Sequence, residues 1–332
     1  MNWESGYTST FYACYIDPQT WNDTERFEII EGSVERTSDS LRQSASLKCT
    51  DYDQTTERWV RIYMDAVQSG DVSHTPLFTG IATSPSRDID GAVEERELEC
   101  YSVLKACEDI LLPRGWYVPA GRNAVLAIKS LLEVTPAPVD GDEEASPLMQ
   151  DALIAEDDET NLTMIEKILN AINWQMQIRG DGTIALSPVS VDPVAEFSPL
   201  VLDIVETSLS VERDWFECPN VFRATLNEMS AVARDDDPDS PLSTVNRGRE
   251  IWMQDEADLS DDETLAEYAK RKLKEAQAVA EKAKYQRRFL PDVNVGDVVR
   301  LDYPQIQGDY RVTSQGIDLS YNGTTSEEVE HG

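Results

Sequence analysis

Histidine is all but missing from the chain: His74 and His331 are the only two in 332 residues. Nucleophilic catalysis needs a base positioned by a third group. The pattern places His74 in a loop and His331 at the terminus, so neither a Ser–His nor a Cys–His arrangement is expected. Basic residues are also scarce, with 29 Lys and Arg against 63 Asp and Glu and a formal net charge of −34. A nucleic-acid binder needs a basic footprint to neutralise phosphates, and an anionic membrane surface would repel this chain. No run of 18 apolar residues occurs, so no membrane-spanning helix and no membrane insertion are expected. The opening Met1-Asn2-Trp3-Glu4-Ser5 has neither a basic nor an apolar stretch, so no signal peptide is expected.

The cysteines, Cys14, Cys49, Cys100, Cys107 and Cys218, are odd in number and include no Cys-x-x-Cys pair. Zinc needs clustered thiolates or imidazoles, so buried free thiols in a reducing compartment are the better reading. Apolar residues make up 40% of the chain, enough for a packed core despite the charge. The length suits two or three domains. Lysine is outnumbered by arginine, 9 to 20, beside 32 Asp and 31 Glu. Many acids with little lysine keep a surface hydrated when salt screens self-repulsion. That texture hints at a halophilic source; the alternative is an acidic protein that faces something negative.

The first hundred residues read as strands: 27–34, 46–50, 59–66, 77–83 and 94–101. The clearest is Trp59 to Ala66, where Val60, Ile62, Met64 and Ala66 alternate with Trp59, Arg61, Tyr63 and Asp65, giving one buried and one wetter face. Gly80 inside a strand pattern marks a bulge or a close backbone approach. Four or five such strands with short polar turns suggest an antiparallel barrel or sandwich. Helices are expected over 102–111, 120–134, where Val125, Ile128, Leu131 and Leu132 share a face, and 162–172. Residues 140–159 hold nine acids and no base and read as a solvated surface loop or linker rather than a packed element or a cation site. Trp174, Met176 and Ile178 alternate with polar neighbours, Arg179-Gly180-Asp181-Gly182 turns, and 183–186 returns. Asp-Gly between alternating strands is a strong hairpin signal, which accounts for the Arg-Gly-Asp tripeptide without an adhesion role.

The last third returns to strands, with candidates at 209–211, 220–226 and 243–253. The acids in Arg234 to Asp239 lack the ligand spacing of a calcium loop and read as a solvated turn. Ser260-Asp261-Asp262-Glu263 fits a capping box, with the helix behind it running to about Tyr285 and Lys282, Lys284, Arg287 and Arg288 at its dipole-favoured end. After Phe289-Leu290-Pro291, a turn at 294–297 leads into a strand, 309–314 and 316–321 complete a final sheet, and the polar tail from Thr324 is expected to fray. No Gly-rich phosphate loop appears, since Gly180-Asp181-Gly182 precedes a strand rather than a helix. Paired carboxylates could hydrolyse glycosides, but among 63 acids no pair is singled out. No catalytic, cofactor-binding or metal-binding residue is assigned and no cofactor is expected.

The order of parts resembles the tail-hub (baseplate-hub) proteins of tailed viruses, the family that includes the late-control D-type hubs. It is carried by Pro76-Leu77-Phe78-Thr79-Gly80-Ile81, by the helix and hairpin from Asn170 to Leu186, and by Leu290-Pro291-Asp292-Val293-Asn294-Val295-Gly296-Asp297-Val298-Val299. The resemblance implies an α+β fold of two tube-type antiparallel β-barrel domains joined by smaller α/β domains. The boundaries would be a first barrel at 1–105, helices and a hairpin with the acidic linker (about 136–160) at 106–205, and a second barrel at 206–332 with an inserted segment that includes a helix at about 260–286. It implies a non-enzymatic structural protein of the virion, at the tail tip or baseplate, assembled in the host cytoplasm. Three copies would form a ring that closes the tail tube, adapts six-fold to three-fold symmetry and passes the genome. Its partners would be itself as a homotrimer, the tail tube or distal tail protein, the tape-measure protein and a tip or spike protein. DNA would meet it only in transit, and luminal carboxylates would repel phosphate. The competing readings are a tail-associated cell-wall or glycan-degrading enzyme and a solitary carbohydrate-binding β-protein.

Overall fold

The computed structural model describes residues 1–331 apart from 4, 40, 51, 53–56, 91, 92, 205–208, 214, 258, 260–262, 279 and 280, with backbone alone at 84–90, 93 and 94. The chain is mostly β, with 48% strand and 14% helix.

Its first six strands are β1 (Thr8–Ile16), β2 (Asp23–Thr37), β3 (Gln43–Cys49), β4 (Arg58–Gln68), β5 (Asp71–Asp90) and β6 (Val93–Ser102). They pair antiparallel in the order β1-β4-β5-β6-β3-β2, and β2 also pairs with β1, so the hydrogen-bonded path returns to its start. The alternation expected in β4 is present: Val60, Ile62, Met64 and Ala66 are buried beside Phe11, Leu47, Phe78 and Leu98 in one apolar core. Both expectations at Gly80 find a place nearby. A Cβ there would sit 2.1 Å from the Tyr101 carbonyl oxygen, and Leu77 is the extra residue of a bulge, since Ile62 pairs with Phe78 while Tyr63 pairs with Pro76. Strand β1 was not among the sequence candidates, because its buried positions include Ser9 and Ala13, too small and polar to register as an apolar face. His74 lies on β5 rather than in a loop, and its Nδ1 is 2.6 Å from the Asp65 carboxylate across the strand pair.

The middle of the chain holds α1 (Lys105–Glu108), β7 (Tyr117–Val118), α2 (Ala124–Leu132), β8 (Val139–Gly141), β9 (Leu153–Ile154), α3 (Asn161–Ile172), β10 (Trp174–Ile178) and β11 (Ile184–Pro188). Asn123 caps α2 by accepting the Leu126 amide at 2.9 Å, the side-chain role that suits Asn at a helix start. The apolar stripes of α2 and α3 meet the inner face of the β10–β11 hairpin in a second core. The acidic stretch is more than a surface loop. Met149, Leu153 and Ala155 are buried in that core, β8 pairs parallel with β11 and β9 pairs with β7. Apart from Glu159, which is buried and paired with Lys167 at 3.1 Å, its carboxylates stay at the surface while three apolar side chains anchor it.

The remaining elements are β12 (Pro193–Phe197), β13 (Ser210–Arg213), β14 (Val221–Leu226), β15 (Met229–Arg234), α4 (Thr244–Arg247), β16 (Trp252–Glu256), α5 (Leu265–Ala278), β17 (Glu281–Arg287), β18 (Val298–Tyr303), β19 (Ile306–Asp318) and β20 (Thr325–His331). A second six-stranded array runs β12-β18-β19-β20-β17-β13. A three-stranded sheet, β15-β14-β16, packs one face on α5.

Four expectations change here. Residues 243–253 are not one strand: Ser243 caps the short α4 by accepting the Asn246 amide, and only β16 is extended. Helix α5 starts at Leu265 under a different capping box, in which the Thr264 amide donates to Glu267 Oε2 at 2.9 Å and the Glu267 amide donates to Thr264 Oγ1 at 3.3 Å; Ser260 to Asp262 lie outside the described residues. The helix stops at Ala278, and Lys282, Lys284 and Arg287 are on a strand. Beyond that point the burial period falls from helical to two, with Ala283, Tyr285 and Arg287 inside, so β17 can only be extended. The tail does not fray: β20 buries Thr325, Glu327 and Val329 between β17 and β19, because its polar residues alternate with positions that complete the second core.

Candidate functional site

Strands β2 and β19 join the two arrays. Thr37 to Ser33 pair antiparallel with Ser314 to Asp318, and β19 also pairs with β18 and β20. One row of side chains crosses this seam through four strands. Arg36 faces Gln315, Gln315 faces Glu327, and Glu327 faces Tyr285. Arg36 is 4% exposed, Gln315 1%, Glu327 3% and Arg287, two residues beyond Tyr285, 1%.

Buried polar groups must find partners, and these do so across chain separations of up to 279 residues. Arg36 donates to the Leu77 carbonyl oxygen at 2.6 Å, to Asn294 Oδ1 at 3.1 Å and to Gln315 Oε1 at 3.4 Å. The bulge at Leu77 turns that carbonyl out of the ladder and toward the guanidinium. Gln315 Nε2 donates to Val293 O at 2.9 Å and to Glu327 Oε1 at 2.7 Å. Arg287 Nε donates to Glu327 Oε2 at 2.7 Å, and its Nη2 donates to Glu327 Oε1, making the pair bidentate. Burial disfavours the charge of Arg287, but the Glu327 carboxylate outweighs it and raises the Arg287 pKa. Arg36 goes the other way: burial, then the charge of Arg287, lowers it to about 10. Burial and then the Glu327 charge push the Tyr285 hydroxyl well above its ordinary value. This row fixes the register in which the two arrays meet, since slipping by one residue would strand each charge.

The middle segment docks on both sides of the seam. The Arg-Gly-Asp turn is pressed onto the first array. Thr79 Oγ1 donates to Gly180 O at 2.8 Å, while Trp21 Nε1 and Arg61 Nη2 donate to Asp181 O at 3.0 and 3.1 Å. A Cβ at Gly180 would lie 1.8 Å from the Pro76 carbonyl oxygen, and Gly182 has φ +84°, which the turn requires. The tripeptide is thus a structural corner. Gln43 Nε2 donates to Ile178 O at 2.5 Å, Arg42 Nη2 donates to both carboxylate oxygens of Glu166 at 2.6 and 2.8 Å, and Gln177 Nε2 reaches Val295 O and Asp297 Oδ1, both at 2.9 Å.

The acidic turn after β15 is tied internally: Asp235 Oδ2 accepts from Ser240 Oγ at 2.6 Å and Gln277 Nε2 at 3.0 Å, and Asp236 accepts from Thr244. Among the described residues no three His, Cys, Asp or Glu side chains gather to hold a metal, and no helix is long and apolar enough to cross a membrane. All five cysteines are buried thiols outside any disulfide, as expected. Arg287 reads in the sequence as the basic end of a helix, and Arg36, Gln315 and Glu327 do not stand out there. Only the odd polar residue inside an alternating run, such as Arg36 after Val34 or Gln315 before Ile317, could have signalled them.

Solved structures align with this arrangement along nearly its full length. The tail protein from Neisseria meningitidis MC58 covers 98% of the chain over 97% of its own, at TM-score 0.70 and 14% identity. The chain has the fold of a phage tail protein. The 43 kDa tail protein of prophage MuSo2 from Shewanella oneidensis covers 97% of the chain and 98% of its own, at TM-score 0.67 and 10% identity. The E. coli c3393 protein, a type VI secretion component described as structurally similar to the T4 tail proteins gp27 and gp5, covers 91% of the chain and 73% of its own, at TM-score 0.51 and 7% identity. No family model and no curated protein matches by sequence. The tail-hub resemblance inferred from the sequence therefore stands at the level of fold.

Proposed function

We propose that the chain is a structural tail-hub (baseplate-hub) protein of a tailed virus, acting without catalysis at the tail tip. Its two strand arrays, at 1–105 and 206–332 with β12 joined to the second, act as tube-type barrels, and 106–205 braces them. Three copies form a ring whose six barrels continue a six-fold tube and present three-fold symmetry at the tip. The partners are further copies of itself, the tail tube or distal tail protein, the tape-measure protein and a tip or spike protein.

The observation that carries this reading is the agreement of fold with phage tail proteins over almost the whole chain. Two features support it. The sheet is continuous from β6 through β3, β2, β19 and β20 to β17. Its outward side bears Glu31, Glu35, Glu95, Glu97, Glu99, Glu328 and Glu330 beside Lys48, Lys282 and Lys284, and these lysines are held by Glu95, Glu330 and Glu328 at 2.8, 2.7 and 2.9 Å. A channel lined by this side repels phosphate and lets DNA pass without binding. Strand β16 is exposed at all five positions, including Trp252 and Met253, and is an edge of its sheet. Such an edge needs a cover, and a neighbouring subunit would supply one.

Light scattering after size exclusion in high salt tests the proposal. A trimer or a larger ring is expected. A monomer at every concentration, or turnover of peptidoglycan or another glycan by the purified chain, would overturn it.

A further inference from the structure

Three buried polar atoms without a hydrogen-bond partner among the described residues, Arg36 Nε, Arg42 Nε and Gln43 Oε1, belong to residues that line one cavity. It measures about 50 Å3 and lies where the first array, the hairpin and the loop before β18 meet, with Gln175, Gln177 and Asn294 completing its polar wall. Arg36 is wholly buried and its pKa is pulled down. Among the described residues no carboxylate forms an ion pair with it. The nearby carboxylates are already held: Glu166 by Arg42, Glu327 by Arg287 and Gln315, and Asp297 by Gln177 and the Asn294 amide. Arg36 donates only to neutral oxygens, of Leu77, Asn294 and Gln315.

A buried charge without a counter-charge is costly, and native proteins neutralise or pair it. A guanidinium cannot shed its proton at neutral pH, so compensation must come from an anion. One water needs roughly 10–15 Å3 of such space, so the cavity has room for one monatomic anion with water beside it. The two Nε–H groups are donors for the anion, and the accompanying water donates to Gln43 Oε1. We infer that this cavity is a halide site, filled by chloride, that neutralises Arg36 and locks the hairpin against both strand arrays. The site is independent of whether the chain forms a ring.

The test is thermal melting of the full chain at constant ionic strength, with sodium chloride replaced stepwise by sodium gluconate, an anion too large for the cavity. The melting temperature is expected to rise by about 2 °C for each tenfold increase in chloride once the site is mostly filled. Superimposable curves in the two salts would overturn the inference. Gln43→Glu places a carboxylate in the cavity wall as an internal counter-ion but gives up the Nε2 bond to Ile178 O, so this variant should melt at a lower temperature than the parent in chloride and lose the distinction between chloride and gluconate. A Gln43→Glu protein as chloride-dependent as the parent would show that the ion acts elsewhere. Crystals grown in sodium bromide and measured at the bromine edge should show an anomalous peak between Arg36 and Gln43. Water-level density without that peak would also overturn the assignment.

Discussion

The first six strands return on themselves, whereas β12 and β13, the ends of the second array, do not pair with each other among the described residues. The first array packs Phe11, Leu47, Ile62, Met64, Phe78 and Leu98 into one apolar core, and its buried charges, Arg36 and Arg61, lie at the seam and under the hairpin turn. The second buries Tyr285, Tyr310, Arg287 and Glu327 with its aliphatic residues and borrows β2 as a neighbour for β19. Apolar burial is non-directional and closes any sheet with the right alternation. A buried ionic row is satisfied in one register only. The difference teaches that one array holds itself together, while the other is held in place by its join to the first.

The most disruptive way to probe that contrast is to cut one member from each interior. Glu327→Ala leaves Arg287 buried and unpaired and is expected to cost about 3–5 kcal/mol; Phe78→Ala in the first array should cost a similar ~3–5 kcal/mol by leaving a cavity. Hydrogen exchange separates them. Glu327→Ala should deprotect β17, β19 and β20 while β4 and β5 stay slow, and Phe78→Ala should do the reverse. Equal deprotection of both arrays by both variants would show a single cooperative unit and break the comparison.

Alkali should act on both arrays through their tyrosines, since burial also raises Tyr285 and Tyr310 of the second array above the ordinary value. Burial raises Tyr7 to about 12, chiefly opposed by the charges of Arg287 and Arg288, and raises Tyr63 to about 12 with help from Asp23. These groups hold their protons in the folded chain after the unfolded chain has lost them near pH 10. The stabilisation is thus complete below pH 10 and disappears as pH rises toward 12. Absorbance at 295 nm, followed with circular dichroism, should show these tyrosines ionising only as structure is lost. Arg36, whose folded pKa is depressed, opposes this trend above pH 10 but is one group against several.

A smaller perturbation sharpens the role of the brace. Gly180→Ala forces a methyl against the Pro76 carbonyl and should lower stability by about 1–3 kcal/mol, with faster proteolysis at the β10–β11 turn. An unchanged urea midpoint would mean that the turn is not seated on β5. The smallest effect is expected at α5, outside both arrays: Thr264→Ala removes the cap and should cost about 1 kcal/mol, read as a shift in the urea midpoint with an unchanged slope.

Much of this architecture is legible in the residues. The alternation of Val60, Ile62, Met64 and Ala66, the stripe of α3 and the Asp181-Gly182 turn each encode their element locally, because periods of two and near 3.6 and a positive φ are properties of short stretches. The errors share a cause. The stretch from Ser260 to about Tyr285 reads as one helix because alanine and lysine suit helices, yet β17 is extended because Tyr285 and Arg287 complete a core made by distant strands. The tail reads as polar because its buried positions include Thr325 and Glu327, and the partners of Glu327, Arg287 and Gln315, lie 40 and 12 residues away.

By itself, then, the sequence determined the strand and helix periods, the tight hairpin turn, the buried thiols and the acidic surface, all of which depend on neighbours in the chain or on composition. The tertiary structure alone decided which array closes, the register of β2 on β19, and the pairing of Arg36, Gln315, Glu327 and Arg287. These are choices among contacts between residues far apart in sequence. A buried charge announces its partner only when the fold has brought the two within hydrogen-bonding distance.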